Sequence, residues 1–412
     1  MHRLPFLIKG HQTTMTTLRF LPSPLTQHRR AGMPRAALLI CLTMLLPLPL
    51  QAAPNAAAQI VQIGFAGPLS GSSARMGQSQ MHAAELALAE VNAHGMSIGG
   101  KPVVFKLLPQ DDRGDPGTAA LVAAYLVKSE VAAVIGHWNT GASMRAATIY
   151  NAAGIAQIAP GSTGRQYTQN GYATSFRIVG HDDDGSRYAS AYALQNLKAG
   201  RIAVVHDDTA FGTMLATQFI RGVQEKGGTI VTRQSISSKT SDFNAALAEC
   251  KSKNADLIFF GGLGPQAAAL MLGIKRMNVH AELLAADGIV GPTFLQLTGA
   301  DGNGALGLAP GQAQEKMNGW KKFKEKFNAA YGDRIEFFAP FAYDAAHMIA
   351  AAAQQANSLE PARIANALHN MKYKGLTGTI SFDAEGNLAN PAYTIYRVQD
   401  GKWMPIQSFG SK

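Results

Sequence analysis

Two polar turns between residues 131 and 163 carry the side chains with the clearest binding chemistry in this sequence. The first turn, from His137 to Thr140, follows an apolar segment that predicts a strand, Val131–Ile135. The second turn, Gly161-Ser162-Thr163, follows another short apolar segment, Ile155–Ile158. Because parallel strands end at the same edge of a sheet, we expect the hydroxyls and free backbone N–H groups of both turns to lie side by side. Such donors, at the positive end of a helix dipole, could bind a small carboxylate.

An acidic residue ends a later predicted strand. Asp287 directly follows Leu283–Ala286, and a carboxylate there suits an ammonium group through a charge-assisted hydrogen bond. Together with Thr140, Ser162 and Thr163, it would recognise both charged ends of an α-amino acid. Each hydroxyl alone could equally be a helix N-cap, so the pattern indicates a zwitterion site only as a set.

Motifs for cofactors, metals and covalent catalysis are weak or absent. Gly262–Ala267 matches the dinucleotide pattern G-x-G-x-x-A after a strand, and Asp287 lies twenty residues beyond it. This is a late strand–helix unit, however, and export of the chain would take it where nicotinamide cofactors are scarce. The sequence has no G-x-S-x-G elbow, no H-E-x-x-H motif and no paired Cys–His set. We therefore predict no cofactor, no metal and no enzymatic activity.

The remaining titratable residues are expected to be structural or solvated. His137, His181 and His206 are isolated in the sequence, which favours structural or exposed positions over catalytic ones. Asp111-Asp112 and the acidic run Asp182–Asp184 are expected to be solvated loops rather than cation sites.

The first 58 residues are expected to be a leader segment. They hold six basic residues and no Asp or Glu, and the apolar run Ala36–Leu50 is followed by small residues. This order is typical of a secretory signal peptide. The run is short for a transmembrane helix and contains Pro47 and Pro49. Met33 stands just before the run and is a candidate true start.

Charge and cysteine content predict an exported protein of two domains. The whole chain has 37 basic and 27 acidic residues, and loss of the leader leaves 31 basic residues against the same 27. The lysines at Lys321–Lys326 alternate with aromatic residues as in one amphipathic helix, so we expect no nucleic-acid partner. Cys250 alone remains after the leader and cannot form an internal disulfide. About 350 residues exceed the size of a single core.

Strand-like and helix-like segments alternate from Ile60 onward, which predicts an α/β protein with parallel sheets covered by helices. Further predicted strands are Ile60–Phe65, Val103–Leu108, Arg201–Val205, Thr229–Ser235, Ala255–Phe260 and Tyr393–Val398. Predicted helices include Gly77–His94, Pro116–Ser129, Phe211–Lys226, Asp242–Lys253, Pro265–Met277, Met317–Tyr331, Pro340–Asn357 and Pro361–Met371. Loops are predicted at His181–Asp184 and Ala309–Gln312, and a hairpin at 378–387.

A collinear series of short motifs resembles the branched-chain amino acid binding proteins of ABC transporters, the Leu/Ile/Val-type periplasmic binding family. The resemblance covers Ile60 to about Asp400 and is carried by Ile63–Gly71, Asp111-Asp112, Asp115-Pro116, Val134–Gly136, Ala159-Pro160, Ala203–Asp207, Phe211-Gly212, Gly261-Gly262, Asp287-Gly288, Ala342–Ala345 and Gly378–Asp383. It implies the type I periplasmic binding protein fold, in which two doubly wound parallel-sheet lobes are joined by three crossover segments and trap the ligand between them. We expect residues 59–181 and 312–391 in lobe 1, and residues 182–311 and 392–412 in lobe 2.

The resemblance also implies roles for single residues. Thr140 stands where the family uses a hydroxyl for the ligand carboxylate. Gly161 and Thr163 stand where backbone groups and a hydroxyl hold the carboxylate and the ammonium, and Asp287 stands where an acidic residue holds the ammonium. The residues expected around the ligand side chain are Met76, Trp138, Phe211, Leu263 and Phe338.

This chain departs from the family pattern in ways that reshape the pocket. Phenols that are common at the positions of Met76, Phe211 and Leu263 are absent, and Trp138 adds bulk. The resemblance therefore implies an apolar pocket whose ligand could be aliphatic, aromatic or a non-standard amino acid.

The expected function is that of a periplasmic solute-binding protein of an ABC transporter. It would bind an amino acid, branched-chain or otherwise hydrophobic, and deliver it to a membrane permease with its ATPase. The chain is expected to act as a monomer. One alternative is a ligand-sensing receptor of the same fold, for an amino acid, an amide or a small carboxylate, that feeds a signalling partner. Another is an exported enzyme.

Overall fold

Residues 57–332 and 335–410 are described by a computed structural model of the chain. The predicted leader, including Met33, lies outside the described residues except for its last two positions. Among the described residues, no helix combines the length and the apolar composition needed to cross a membrane.

Six strands form the first sheet. They are β1 (Gln59–Gly67), β2 (Met96–Ile98), β3 (Lys101–Asp111), β4 (Ala133–Gly136), β5 (Ala156–Ala159) and β6 (Ser175–Arg177). Their order across the sheet is β2-β3-β1-β4-β5-β6, and every neighbouring pair is parallel except β2 with β3. β4 and β5 are buried along their whole length, as expected for central strands covered on both faces.

Three helices connect these strands: α1 (Ala74–His94), α2 (Pro116–Lys128) and α3 (Thr140–Ala152). The start of α2 follows from its sequence, because Pro116 occupies the first turn and the Asp115 carboxylate accepts a hydrogen bond from the Thr118 N–H at 2.6 Å. α1 ends at Gly95, whose φ of 72° is a conformation that glycine adopts at little cost. The helix boundaries therefore rest on local chemistry that the sequence displays.

The middle of the chain builds a second sheet. Its strands are β7 (Ile202–Asp207), β8 (Ile230–Ile236), β9 (Leu257–Gly261), β10 (Glu282–Ala285) and β11 (Leu306–Pro310). The accompanying helices are α4 (Asp182–Gln195), α5 (Ala210–Gln224), α6 (Asn244–Ser252), α7 (Gly264–Arg276) and α8 (Pro292–Thr298). The predicted loop at His181–Asp184 is wrong, because α4 begins at Asp182. The predicted loop at Ala309–Gln312 is wrong in its first half, because β11 continues to Pro310.

The chain then returns to the first sheet. It forms α9 (Trp320–Tyr331), α10 (Ala339–Ala356), α11 (Pro361–His369), β12 (Tyr373–Lys374) and β13 (Thr379–Ile380). α10 packs along α1, and the many alanines of both helices allow the close approach. The predicted hairpin at 378–387 is only partly correct: β13 pairs with the preceding β12, and an antiparallel bridge joins Phe382 to Leu388.

Two antiparallel strands complete the second sheet, β14 (Tyr393–Gln399) and β15 (Lys402–Phe409). The order of that sheet is β15-β14-β11-β10-β9-β7-β8. The chain thus passes between the sheets three times: after β6, after β11 and before β14. We call the first sheet with α1–α3 and α9–α11 the first lobe, and the second sheet with α4–α8 the second lobe. The predicted α/β class, with two parallel-sheet lobes and three crossover segments, is confirmed.

Candidate ligand-binding site

A cavity of about 350 Å³ lies between the two lobes, where the carboxyl ends of strands from both sheets meet. A volume of this size suits a small-molecule ligand. The first lobe lines it with Gly114, Pro116, Trp138, Asn139, Thr140, Gly141 and Gly161. The second lobe lines it with Asp208, Thr209, Ala210, Phe211, Ser238, Leu263, Asp287 and Gly288.

The structure brings six of the ten predicted site residues to this cavity. They are Trp138, Thr140, Gly161, Phe211, Leu263 and Asp287. Among the described residues, the cavity lining does not include Met76, Ser162, Thr163 or Phe338. Both predicted turns therefore contribute residues to the cavity wall, but some of their side chains make other contacts.

Ser162 stabilises the binding turn from behind the cavity wall. Its side chain is buried, its Oγ lies 2.5 Å from Ser143 Oγ, and it donates to the Trp138 backbone carbonyl at 3.1 Å. The expectation that the Ser162 hydroxyl faces the ligand is therefore corrected: the hydroxyl joins the two polar turns to each other.

The other three residues lie beside the cavity. Met76 lines a smaller neighbouring void that is also bounded by Trp138 and Leu263. Phe338 packs edge-on against the Trp138 indole, with the ring centroids 6.1 Å apart, and so supports the indole rather than facing the cavity. Thr163 lines a second small void together with Asp287.

Hydrogen-bond donors gather at the first-lobe end of the cavity. Thr140 is buried at the start of α3, and its Oγ accepts from the Gly164 N–H at 3.2 Å, which leaves the hydroxyl proton available to a ligand. The Trp138 Nε1–H is buried and forms no hydrogen bond within the described part of the chain. That N–H is closed off from the cavity, so the Thr140 hydroxyl is the side-chain donor that favours a ligand oxygen on this side. The positive end of α3 adds to the preference for an anion.

Trp138 occupies its position because residue 161 is a glycine. A Cβ atom on Gly161 would lie 2.2 Å from Trp138 Cδ1 and 2.6 Å from Trp138 Nε1, far closer than atoms can pack. The pyrrole edge of the indole therefore rests directly on the Gly161 backbone. The two residues form one wall of the cavity and depend on each other.

A carboxylate without a counter-charge lies on the second-lobe side of the cavity. Asp287 follows β10 and is only 5% exposed. Burial raises the pKa of the Asp287 carboxyl well above its ordinary value, and the nearby Asp182 carboxylate raises it further. Neither lysine nor arginine occurs among the described residues that line the cavity. The ionised form of Asp287 therefore requires a cation that the ligand would supply.

Two acidic residues predicted to lie in solvated loops are buried. Asp182 is 5% exposed behind Asp287, and Asp112 is fully buried against His137, with 2.6 Å between its carboxylate and His137 Nδ1. The His137 Nε2 lies 3.2 Å from the Tyr150 hydroxyl, so this histidine is structural, as predicted. The start of a helix immediately after a predicted crossover segment is the signal that could have identified Asp182.

A fully buried arginine holds the binding turn to the first sheet. Arg177 ends β6, and its guanidinium donates to neutral acceptors, the Ser162 backbone carbonyl at 2.8 Å and the Asn387 Oδ1 at 3.0 Å. Burial lowers the pKa of Arg177 to about 10, so the group remains charged at neutral pH. No local sequence pattern indicates this role for Arg177.

The rest of the cavity wall is largely apolar, although Asn139, Asp208, Thr209 and Ser238 also line it. Phe211, Leu263 and Ala210 face Trp138 and Pro116, and tyrosine is absent from the described lining residues. Gly114 and Asn139 are neighbours, since a Cβ on Gly114 would lie 2.9 Å from Asn139 Oδ1. Among the described residues no group of three His, Cys, Asp or Glu side chains could hold a metal ion.

Comparison with known proteins gives one consistent result. Residues 60–402 match the periplasmic binding protein family. A Leu/Ile/Val-binding protein homolog of Brucella melitensis is 30% identical over 354 residues, which cover 84% of this chain and 93% of the relative. A Pseudomonas aeruginosa protein named as an amino acid binding protein is 31% identical over 347 residues, covering 83% of this chain and 91% of the relative.

Solved structures agree on the fold. The branched-chain amino acid transporter substrate-binding protein LivJ of Streptococcus pneumoniae, in complex with isoleucine, superposes with a TM-score of 0.79 at 26% identity, covering 86% of this chain and all of that one. A solute-binding protein of Rhodopseudomonas palustris, in complex with benzoate, superposes with a TM-score of 0.76 at 20% identity, covering 84% of this chain and 95% of that one. With its two lobes, three crossovers and interlobe cavity, the chain belongs to the periplasmic binding protein family.

Proposed function

We propose that this protein is an exported, periplasmic solute-binding protein that binds an amino acid with a hydrophobic side chain. It would deliver this ligand to the permease and ATPase of an ABC transporter. Support comes from relatives named for the binding of leucine, isoleucine and valine and from a structural neighbour that holds isoleucine. The predicted leader at the start of the chain supports export.

One observation carries the choice of an amino acid over a simple carboxylate. Asp287 is a buried acid on the second-lobe side of the cavity with no basic residue among the described lining residues, while the Thr140 hydroxyl lies on the first-lobe side. A ligand with a carboxylate alone would satisfy the donor but would leave the Asp287 charge buried without a cation, which is unfavourable. An α-amino acid carries an ammonium and a carboxylate on the same carbon and supplies both.

Ligand binding would also stabilise the closed arrangement of the lobes. Thr140 and Trp138 belong to the first lobe, whereas Asp287 and Phe211 belong to the second. A ligand that contacts both sides binds the closed state better than the open one and therefore shifts the population towards closure. A permease that distinguishes the two states would then accept the loaded protein.

A thermal-shift screen of the twenty standard amino acids identifies the ligand, because binding to the folded state raises the melting temperature. Calorimetry on Asp287→Asn then tests the site. Loss of one partner of a buried charge pair costs about 2–5 kcal/mol of binding free energy. Asp208→Asn is the matched control, because Asp208 also lines the cavity but its carboxylate accepts a hydrogen bond from the Ser238 N–H at 2.8 Å. Equal affinities of the wild type and Asp287→Asn would contradict the zwitterion site.

A separate experiment tests delivery. Deletion of the gene from the source bacterium should abolish high-affinity uptake of the radiolabelled ligand, and restoration of the wild-type gene, but not of the Asp287→Asn form, should recover it. Unchanged uptake in the deletion strain would show that the protein binds its ligand for another purpose.

A further inference from the structure

A second buried carboxylate lies directly behind Asp287. Asp182 is the first residue of α4, and its backbone N–H donates to the Thr163 carbonyl at 2.8 Å. Its Oδ2 is buried and forms no hydrogen bond within the described residues. Asp182 and Asp287 both line a void of about 20 Å³, room for about one water molecule. Asp287 also lines the ligand cavity, so it separates the void from the cavity.

The void is walled mainly by apolar residues, which leaves its few polar side chains without polar neighbours there. The Ser186 hydroxyl also lines it, is 1% exposed and forms no hydrogen bond within the described part of the chain. Unpaired buried oxygens of this kind require a proton, a water molecule or a cation beside them. Because the void lies next to the ligand cavity, a ligand with a cationic group can supply the cation that these oxygens require.

The charged and titratable groups around Asp182 come from four elements. Arg177 of β6 attracts its charge, but the arginine's hydrogen bonds go to neutral acceptors. Asp183 on the same helix lies 3.5 Å from Arg165, which follows the second polar turn. The remaining groups are Asp287, Asp184, His181 and Tyr393 of β14. The His181 Nε2 lies 3.5 Å from the Asp184 carboxylate. The Tyr393 hydroxyl donates to the His181 backbone carbonyl.

Two buried carboxylates that face one void cannot both ionise easily without a cation between them. Burial raises the pKa of Asp182 to about 7, although the charge of Arg177 opposes the rise. The pKa of Asp287 is raised as well, first by burial and then by Asp182. The empty cleft is therefore expected to retain a proton on this pair near neutral pH.

We propose that Asp182 is the second carboxylate of the ammonium site, and that a proton held by Asp182 and Asp287 in the empty cleft leaves when an ammonium group enters. This inference rests on the proposed function and extends it. The carboxyl O–H bond breaks, its proton goes to solvent, and the ligand ammonium keeps its three protons. Asp182 acts here as a positioning residue, because Asp287 is the acid that faces the ligand.

Proton release makes affinity depend on pH. A ligand that displaces one proton binds the deprotonated pair, so its affinity is greatest above the pKa of the empty site and falls as pH decreases below it. The dissociation constant should therefore rise by about tenfold for each pH unit below the pKa of the empty site, until the proton is also held in the complex.

Isothermal titration calorimetry on the purified protein tests this inference. The ligand is L-leucine, or the standard amino acid that ranks above it in the thermal-shift screen. Titrations at pH 6 in buffers of different ionisation enthalpy count the protons released. The expected count is close to one for the wild type below the pKa of the empty site and falls towards zero above it. In Asp182→Asn, amino acid binding should persist, while the loss of affinity should move to lower pH because Asp287 no longer faces a second carboxylate.

Two control variants separate this effect from a general change in charge. Asp183→Asn removes the same charge one residue along the helix, outside the void, and His181→Gln removes the neighbouring imidazole. Both should keep the proton count of the wild type. Binding without proton release between pH 5.5 and 8, or identical pH profiles for the wild type and Asp182→Asn, would overturn the inference and leave the proposed function standing. Absence of binding by any amino acid at any pH would overturn both.

Discussion

Replacing Gly161 with alanine would place a methyl group where the Trp138 indole now lies. The new Cβ would sit 2.2 Å from Trp138 Cδ1, more than 1 Å closer than ordinary contact. The φ of Gly161 is not in the left-handed region, so alanine is compatible with the backbone there. Alanine would also restrict the unfolded chain, which by itself stabilises by about 0.4–1 kcal/mol. The overlap should outweigh this gain, since overpacking of a filled site costs about 1–3 kcal/mol.

The indole has one direction in which to move. Trp138 is 5% exposed, Phe338 packs against it, and the void it shares with Met76 is only about 20 Å³, so the ligand cavity is the space large enough to accept the displaced ring. Gly161→Ala should therefore destabilise the ligand-free protein and also reduce ligand affinity. In a Trp138→Leu background the methyl group has space, and the same substitution should cost close to nothing.

Urea denaturation of the four ligand-free proteins in this double-mutant cycle measures the coupling between the two positions. We expect a coupling free energy of about 1–3 kcal/mol. Gly200→Ala is the control, because a methyl group there would meet its nearest neighbour at 3.5 Å. An equal cost of Gly161→Ala in both backgrounds, within about 0.5 kcal/mol, would refute the dependence of Trp138 on the glycine.

Three further perturbations follow from the same structure. The pKa of Asp182 is raised from its ordinary value of 3.8, which applies to the unfolded chain, to about 7 in the folded protein. Ionisation of Asp182 therefore destabilises the folded, ligand-free protein as the pH rises from about 4 to above 7. In urea denaturation, Asp182→Asn should therefore stabilise it at pH 8, by up to roughly 4 kcal/mol, and have little effect at pH 4; equal effects at both pH values would contradict this. Arg177→Met should destabilise the protein by about 1–3 kcal/mol in urea denaturation, because its buried neutral acceptors lose their donor; a near-neutral result would show that they are solvated. Thr293 donates to Glu336 at 2.7 Å across the cleft, so Thr293→Val should weaken ligand binding by about 1 kcal/mol in calorimetry; an unchanged affinity would show that this contact does not favour closure.

The strand ends of the site could be predicted from the sequence. Thr140 and Asp287 each follow a short apolar segment, and the carboxyl ends of parallel strands meet at one edge of a sheet. Local capping residues, such as Asp115 before Pro116, predicted a helix start in the same way. These features depend on the neighbouring residues alone.

The features that were missed depend on tertiary contacts. Polar composition at His181–Asp184 predicted a loop, yet α4 begins there and tertiary packing buries Asp182. The strand β15 has mostly exposed side chains, so it carries no burial pattern. The contact between Trp138 and Gly161 joins two separate turns, and no local pattern encodes it.

The most direct test of the central claim compares three ligands that differ only in their charged groups. Calorimetry is performed with L-leucine, with 4-methylpentanoate, which lacks the ammonium, and with 3-methylbutylamine, which lacks the carboxylate. Each analogue tests the contacts of one charged group separately. If the screen ranks another amino acid first, its deaminated and decarboxylated analogues replace these. We predict that each analogue binds at least about 100-fold more weakly than the amino acid, because a buried charged or polar group then loses its partner. Binding of 4-methylpentanoate as tight as that of leucine would contradict the pairing of Asp287 with an ammonium group.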